Sequence, residues 1–435
     1  MKKLTQLAAV IVGCGIVGCG IVGAAGFFGF AEYGQHRAFP AIALDTSSPP
    51  EVQIKRGKYV AEMGDCAACH TVPGHATFAG GYILNTPFGV IKASNITQDP
   101  DTGIGGWTLA QFDKAVRHGI GSHGYLYPAM PYTAYAKMPD QDVADLYAYM
   151  KTVAPVKNKV VENELPFPYN QRVLLAGWNL LFFKDQPFTP LPGVTAIVNR
   201  GDYLVNGPGH CAACHTAKNF LGGDVAGAFQ GGTLQGWHAP DLTPNPQVGL
   251  GQWTTDDIVT YLKTGTSRQA VASGPMQEAV ENSTQHLTDP DLQAIAAYLK
   301  QLPASPQRNS TAVAASNPQM VTGKRVVESQ CEACHRSDGT GVRNMIPAFA
   351  GSAQVNATDP SSLLHVVLLG AEGPMTAGNP TGAGMPRFDW KMPDEDIAAA
   401  LTYIRNSWGN SAPPVSPNDV HQARTQLAAE QWLNR

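Results

Sequence analysis

The sequence predicts a mainly α-helical protein, with an apolar N-terminal helix followed by three tandem helical units of about 100 residues each. Three observations carry this. A five-residue cysteine–histidine motif recurs three times, and each copy is followed by two stretches of helical periodicity. An uncharged apolar run fills the N-terminus. The 435 residues also fit three domains at roughly 150 residues apiece. Charged residues are 15% of the chain and hydrophobic residues 43%, which excludes a disordered polymer. A net charge of -4 leaves no basic footprint for nucleic acid. The 45 glycines and 33 prolines exceed average usage and predict loop-rich units.

Residues 1–32 form the first segment. Lys2 and Lys3 precede an uncharged run from Leu7 to Phe30. As a helix this run would extend about 36 Å, enough for a hydrocarbon core of about 30 Å. The basic end belongs on the cytoplasmic side, which puts Glu32 and everything after it outside. Small pairs four apart, Gly15/Cys19 and Ala25/Gly29, would permit close helix contact in a membrane, with Cys14 and Cys19 as small packing residues. Three fates fit the segment: a retained anchor, a cleaved signal, or a lipidated terminus at the boxes ending in Cys14 and Cys19. The length of the run beyond those cysteines favours the anchor.

The other six cysteines form three Cys-x-x-Cys-His units: Cys66-Ala-Ala-Cys69-His70, Cys211-Ala-Ala-Cys214-His215 and Cys331-Glu-Ala-Cys334-His335. This is the attachment signature of c-type haem. Positions i and i+3 share a helix face, so two thiols can bond the two vinyl groups of one porphyrin. The adjoining histidine is then carried beneath the iron as its proximal ligand. Other uses of the pairs fit less well. Closed zinc sites need four ligands, and these pairs lie 145 and 120 residues apart. A thioredoxin-like motif needs a βαβ setting, and strand patterning is sparse. A disulfide scaffold expects a short chain. Three covalent haems are therefore expected.

Each unit predicts an opening helix (around Arg56-Gly57-Lys58-Tyr59, Arg200-Gly201-Asp202-Tyr203 and Gly323-Lys324-Arg325) and a middle helix (Trp107 to Gly119, Trp253 to Gly265 and Ser361 to Gly370). The middle helices all stop at glycine. Closing helices run from Asp140 to Lys151, Asp289 to Lys300 and Asp394 to Ser407, with acidic first turns and one apolar stripe each, as in Val143, Leu146, Tyr147 and Met150. The units then span 51–152, 199–302 and 320–410. Between them lie a connector, 153–198, holding the apolar stretch Val173 to Phe183, and a Pro/Ser/Asn-rich flexible linker, 303–319. A tail, 411–435, is predicted to end in a short helix.

A histidine-held iron that only transfers electrons takes methionine as its second axial ligand. Met276 is the only methionine between 151 and 319. Met130-Pro131 stands 8 residues before Lys137-Met138-Pro139-Asp140, and Met385-Pro386 stands 7 before Lys391-Met392-Pro393-Asp394. That internal match selects Met130 and Met385, giving His-to-Met spacings of 60, 61 and 50. Met375, in Gly373-Pro374-Met375, is the rival in unit three. Met63, Met138, Met150, Met345 and Met392 are assigned to packing. His75, His118, His123, His238 and His365 are assigned to surfaces or helix ends. The carbonyl of Pro347, 12 residues after His335, is a candidate acceptor for that imidazole's N–H.

Beyond the haem motifs, several stretches support a resemblance: Thr86-Pro-Phe-Gly89, Ser94-Asn-Ile-Thr97, Asp101-Thr-Gly-Ile-Gly105, Tyr127-Pro-Ala-Met-Pro-Tyr132 and Leu401-Thr-Tyr-Ile-Arg-Asn-Ser-Trp-Gly409. Over about residues 51–415 the chain resembles the triple-haem cytochrome c subunits of bacterial membrane-bound dehydrogenases. The resemblance implies three class I cytochrome c domains on the periplasmic side of the inner membrane. It implies a catalytic dehydrogenase partner oxidising an alcohol, aldehyde or sugar acid, and electron delivery to ubiquinone or a downstream respiratory carrier. Leu165-Pro-Phe-Pro-Tyr-Asn170, Ala176-Gly-Trp-Asn-Leu-Leu-Phe-Phe183 and Gly236-Trp-His-Ala-Pro240 look most like the cytochromes of molybdenum hydroxylase-type aldehyde dehydrogenases. A cytochrome subunit of a terminal oxidase and a multihaem peroxidase are the alternatives. No residue of the chain is assigned catalysis on the organic substrate.

Overall fold

The computed structural model describes residues 26–43, 47–308 and 310–433. Most of the expected Leu7–Phe30 span lies outside these residues. Among the described residues no helix is long and apolar enough to cross a membrane.

Each unit is built on an opening helix crossed by a closing helix. The pairs are Pro50–Met63 with Asp140–Met150, Ala196–Asn206 with Asp289–Leu299, and Pro318–Gln330 with Asp394–Ile404. A glycine makes each crossing possible. A Cβ on Gly57 would sit 1.8 Å from the Asp145 carbonyl oxygen, one on Gly201 2.0 Å from that of Ala294, and one on Gly323 2.0 Å from that of Ala399. Only a residue without a side chain lets the two backbones come this close. The apolar stripes then meet: Val143, Leu292 and Ile397 are fully buried.

The middle helices run Leu109–His118, Thr255–Thr264 and Ser361–Leu369. The first two start two residues later than the sequence predicted. Thr108 and Thr254 stay extended and close capping boxes with Gln111 and Asp257, which fixes the first turn. Gly119 and Gly265 end these helices in the left-handed region, at φ 64° and 76°. The third closing helix stops at Ile404, short of the expected Ser407, where the side-chain amides of Asn406 and Asn410 donate to the Thr402 and Ile404 carbonyls at 2.9 and 3.0 Å.

Four two-stranded antiparallel hairpins complete the units. The longest pairs Ile83–Thr86 with Gly89–Lys92, and its counterpart in unit two pairs Gly232–Leu234 with Trp237–Ala239. The linker 303–319, predicted flexible, is irregular over 303–308 and 310–317 but held at several points. Ser305 bonds Asn245 and Asp241, Ser310 bonds Ser411, and the Val313 amide donates to Asn406. The tail holds a longer helix than expected, Pro417–Leu433. It buries Val420 and Leu427 against unit three and places Arg424 on Asp394 and the Met392 carbonyl. Residues 26–36 are helical and pack on unit one, with Ala31 fully buried and its carbonyl accepting from the Tyr125 hydroxyl at 3.0 Å.

Candidate functional site

Each cysteine–histidine motif folds as one helical turn just after its opening helix: Cys66–His70, Ala212–His215 and Glu332–His335. In units one and two the residue before the first cysteine takes a positive φ, 51° at Asp65 and 37° at His210, and this reverses the chain between the two helices. None of the six cysteines forms a disulfide, so all their thiols stay available. Burial pushes the thiols of Cys66, Cys69 and Cys211 up to about 12 and those of Cys214 and Cys331 up to about 11. They are therefore un-ionised at neutral pH.

The three histidines are oriented alike. Nδ1 of His70 lies 2.6 Å from the Ser94 carbonyl oxygen, that of His215 2.7 Å from Pro240, and that of His335 3.0 Å from Pro347. A protonated Nδ1 donates to each carbonyl, leaving Nε2 with its lone pair free for a metal. Burial lowers the pKa of each imidazole and favours that neutral form. The histidine carbonyls are held as well, each accepting from a glycine amide: Gly80, Gly231 and Gly341 at 2.8, 3.0 and 3.1 Å. The Pro347 acceptor was anticipated. Ser94 and Pro240 were not, although Ser94-Asn-Ile-Thr97 and Pro240-Asp-Leu-Thr243 are matching segments. In both, the second residue's side chain caps the threonine amide, at 2.9 and 2.6 Å.

A second unanticipated match is Phe78-Ala-Gly-Gly81 with Phe229-Gln-Gly-Gly232. Phe78 and Phe229 are buried, with φ of 65° and 64°, and their amides donate to Thr71 and Thr216, the residues that follow His70 and His215. In unit three an aromatic face does related work, because Phe349 stacks on the His335 ring at 4.0 Å.

All three motifs open onto one connected, mainly apolar cavity of about 1850 Å³. Met130, Met276 and Met385 also line it, so each predicted histidine–methionine pair faces the same space. Met375 does not line it. Met375 is exposed, and its amide is tied to Glu281 of unit two at 2.8 Å. Met63, Met138, Met150 and Met392 are buried, the first three also reaching the cavity lining, whereas Met345, expected to be a packing residue, is exposed and lines the cavity in unit three. Of the histidines set aside, His118 bonds Asp185 and stacks on Phe39, and His365 stacks on Trp237. His123 and His238 reach the cavity lining, as does His210, which had not been considered. Nδ1 of His210 is engaged by the Pro208 carbonyl at 2.8 Å.

The donor set fits a covalently held haem: paired thiols at i and i+3, a neutral oriented imidazole, a thioether in the same cavity, and apolar walls. The family model for cytochrome c matches residues 54–154, 198–303 and 320–408. The cytochrome c subunit of a quinone alcohol dehydrogenase from Gluconacetobacter polyoxogenes is 42% identical over 392 residues, covering 85% of this chain and 84% of that one. A gluconate 2-dehydrogenase cytochrome c subunit from Pantoea cypripedii is 39% identical, covering 89% and 92%. A diheme cytochrome c-type protein from Cereibacter sphaeroides is 41% identical over 261 residues, which is 58% of this chain and 86% of that one. Domains of this kind bind haem c covalently. On the three matched stretches and these relatives, the chain belongs to the cytochrome c family.

Proposed function

We propose that the protein is the triple-haem electron-transfer subunit of a membrane dehydrogenase complex. Electrons would come from a catalytic subunit that oxidises an alcohol or aldehyde, and would leave to ubiquinone or a downstream respiratory carrier. The observation that carries this is the single apolar cavity onto which all three cysteine–histidine motifs and all three selected methionines open. Bound haem supplies one-electron redox chemistry at its iron.

The chain's own part is attachment and positioning. Cys66 and Cys69, Cys211 and Cys214, and Cys331 and Cys334 would form the thioethers. His70, His215 and His335 would be the proximal ligands, kept in one tautomer by the carbonyls of Ser94, Pro240 and Pro347. Met130, Met276 and Met385 would be the distal ligands, favouring the reduced iron and raising the potential. The domains carrying them would be 51–152, 199–302 and 320–410. Residues 1–32 would anchor the chain in the inner membrane, with the domains on the periplasmic side. The catalytic partner would be of the molybdenum hydroxylase aldehyde type, on the strength of the Leu165–Asn170, Ala176–Phe183 and Gly236–Pro240 segments.

The test is purification from detergent-solubilised membranes. A pyridine haemochromogen assay should give three haems per chain, and a catalytic subunit containing molybdenum should co-purify. One or two haems per chain would overturn the assignment. A quinoprotein partner would keep the electron-transfer role and move the complex to the alcohol dehydrogenase branch. A large polytopic partner would make it an oxidase subunit instead.

A further inference from the structure

Residues 173–183 contain no charged side chain, and they form a short turn and a helix, Leu175–Phe182. Part of this helix is engaged within the protein, with Asn179 accepting from the Tyr132 hydroxyl at 2.7 Å and Phe182 against Gly223. Ala176 is buried, and the Phe27 ring lies against Gly177, 3.4 Å from where its Cβ would be. Leu180 and Leu181 on the same helix are 72% and 68% exposed. The neighbouring segments expose large apolar side chains too. Trp178 Nε1 donates to the Leu221 carbonyl at 2.9 Å, which places the loop of Phe220, 86% exposed, beside the helix. Phe167, before the helix, is 79% exposed, and Phe28 and Phe30 are exposed on the helix that packs against it. Leu180, Phe167 and Phe220 lie outside the cavity lining, so the cavity's contents do not cover them.

Large exposed apolar patches on a protein mark a surface meant to be covered. What lies next to this patch identifies the cover. Phe27, the residue seated on Gly177, belongs to the uncharged run from Leu7 to Phe30. Whatever bilayer receives that run must therefore come up against the Leu175–Phe182 helix. Exposed Lys184 follows the apolar stretch, and its ammonium would reach the aqueous headgroup layer beside a bilayer. On this basis we propose that the Leu175–Phe182 helix, with Phe167 and Phe220, rests on the lipid bilayer. The first two units are thereby held flat against the membrane as well as tethered to it. This rests on the reading of residues 1–32 as an anchor.

The test uses the full-length holo-complex in vesicles of phosphatidylcholine and phosphatidylglycerol carrying a diazirine-bearing phosphatidylcholine. After irradiation, label should appear on the peptide spanning 173–183 as well as on residues 26–36. Leu180→Asp combined with Phe220→Asp should cut the 173–183 label at least about fivefold while leaving haem content and substrate-driven reduction unchanged. Label confined to residues 1–36 would overturn the proposal. So would hydrogen-exchange protection of 173–183 that depends on the catalytic subunit and not on lipid, which would make the patch a protein interface. Alkaline carbonate washing tests the anchor separately. A chain released by carbonate yet labelled at 173–183 would keep the membrane seat and remove the anchor.

Discussion

Units one and two are joined differently from units two and three. The first two share one continuous apolar core, which runs from Val60 and Leu146 through to Leu204 and Leu292. Their interface is also reciprocal. The Tyr59 hydroxyl donates to Asp291 at 2.7 Å, and the Tyr203 hydroxyl donates to Asp142. Each tyrosine stands two residues after the crossing glycine, and each aspartate is third in its closing helix. The pair is thus built like a two-fold dimer within one chain. Unit three keeps its own core around Leu368, Ile397 and Leu401. It carries exposed Arg325 where the others carry tyrosine. It meets unit two through the Trp237–His365 stack, the Ser362–His238 backbone bonds, and Met375 and Ala377 amides on Glu281 and Gln285. Shared apolar area couples folding, whereas polar docking between separate cores leaves each side free to unfold alone.

The largest predicted effects break this division. Gly201→Val would drive a branched side chain into the Ala294 carbonyl, costing about 3 kcal/mol or more. Because unit two shares its core with unit one, calorimetry of the holoprotein should show the shared transition falling while unit three's holds. Gly323→Val makes the same clash with Ala399 and should lower only unit three's transition. A single transition shifted equally by both substitutions would show that the three units fold as one.

These glycines mark a limit of what the sequence discloses. Cys-x-x-Cys-His is legible because covalent chemistry fixes its spacing, and the closing helices are legible because their stripes repeat at helical spacing. Arg-Gly-x-Tyr was visible as a repeat, but nothing local says that its glycine meets a backbone about 90 residues away. The carbonyls of Ser94 and Pro240 belong to the same class. A carbonyl carries no residue signature, so these acceptors are set by the fold and not by residue type. The middle helices, expected from Trp107 and Trp253, begin later because the side chains of Thr108 and Thr254 set the boundary. The unit one–two interface was least legible, since docking depends on which surfaces face each other and not on any one segment's pattern.

The interface tyrosines test the reciprocity itself. Tyr59→Phe and Tyr203→Phe each remove a hydrogen bond to a carboxylate and should cost about 1.5–3 kcal/mol apiece in the shared transition. Chemical denaturation of the single and double variants measures this. In the double variant the penalties should depart from simple addition, because Arg200 links the two halves, bonding Asp291 and lying 5.3 Å over the Tyr203 ring. Unit three's transition should not move. If unit three is destabilised as well, its independence is wrong.

The smallest effect separates the two halves of that reciprocal pair by pH. Burial works against ionisation at both aspartates. At Asp291 it is outweighed by Arg200, whose Nε and Nη2 each donate at 2.8 Å, and by Tyr59, so its pKa lies below the ordinary value. At Asp142 burial wins over the Tyr203 bond, because Arg56 is spent on Asp145, and the pKa rises. The signs are therefore opposite. The contribution of Asp291 is fully present above the ordinary carboxylate range and is lost as pH falls through its depressed value. Asp142 is penalised when ionised, and that penalty is relieved as pH falls through its raised value. As the solution is acidified, stability of the paired units should first rise slightly and then drop. Asp142→Asn should abolish the rise and Asp291→Asn the drop, read as denaturation midpoints across the acid range. If the two variants have identical pH profiles, the interface is symmetric in charge as well as in geometry, and Arg200 does not distinguish its halves.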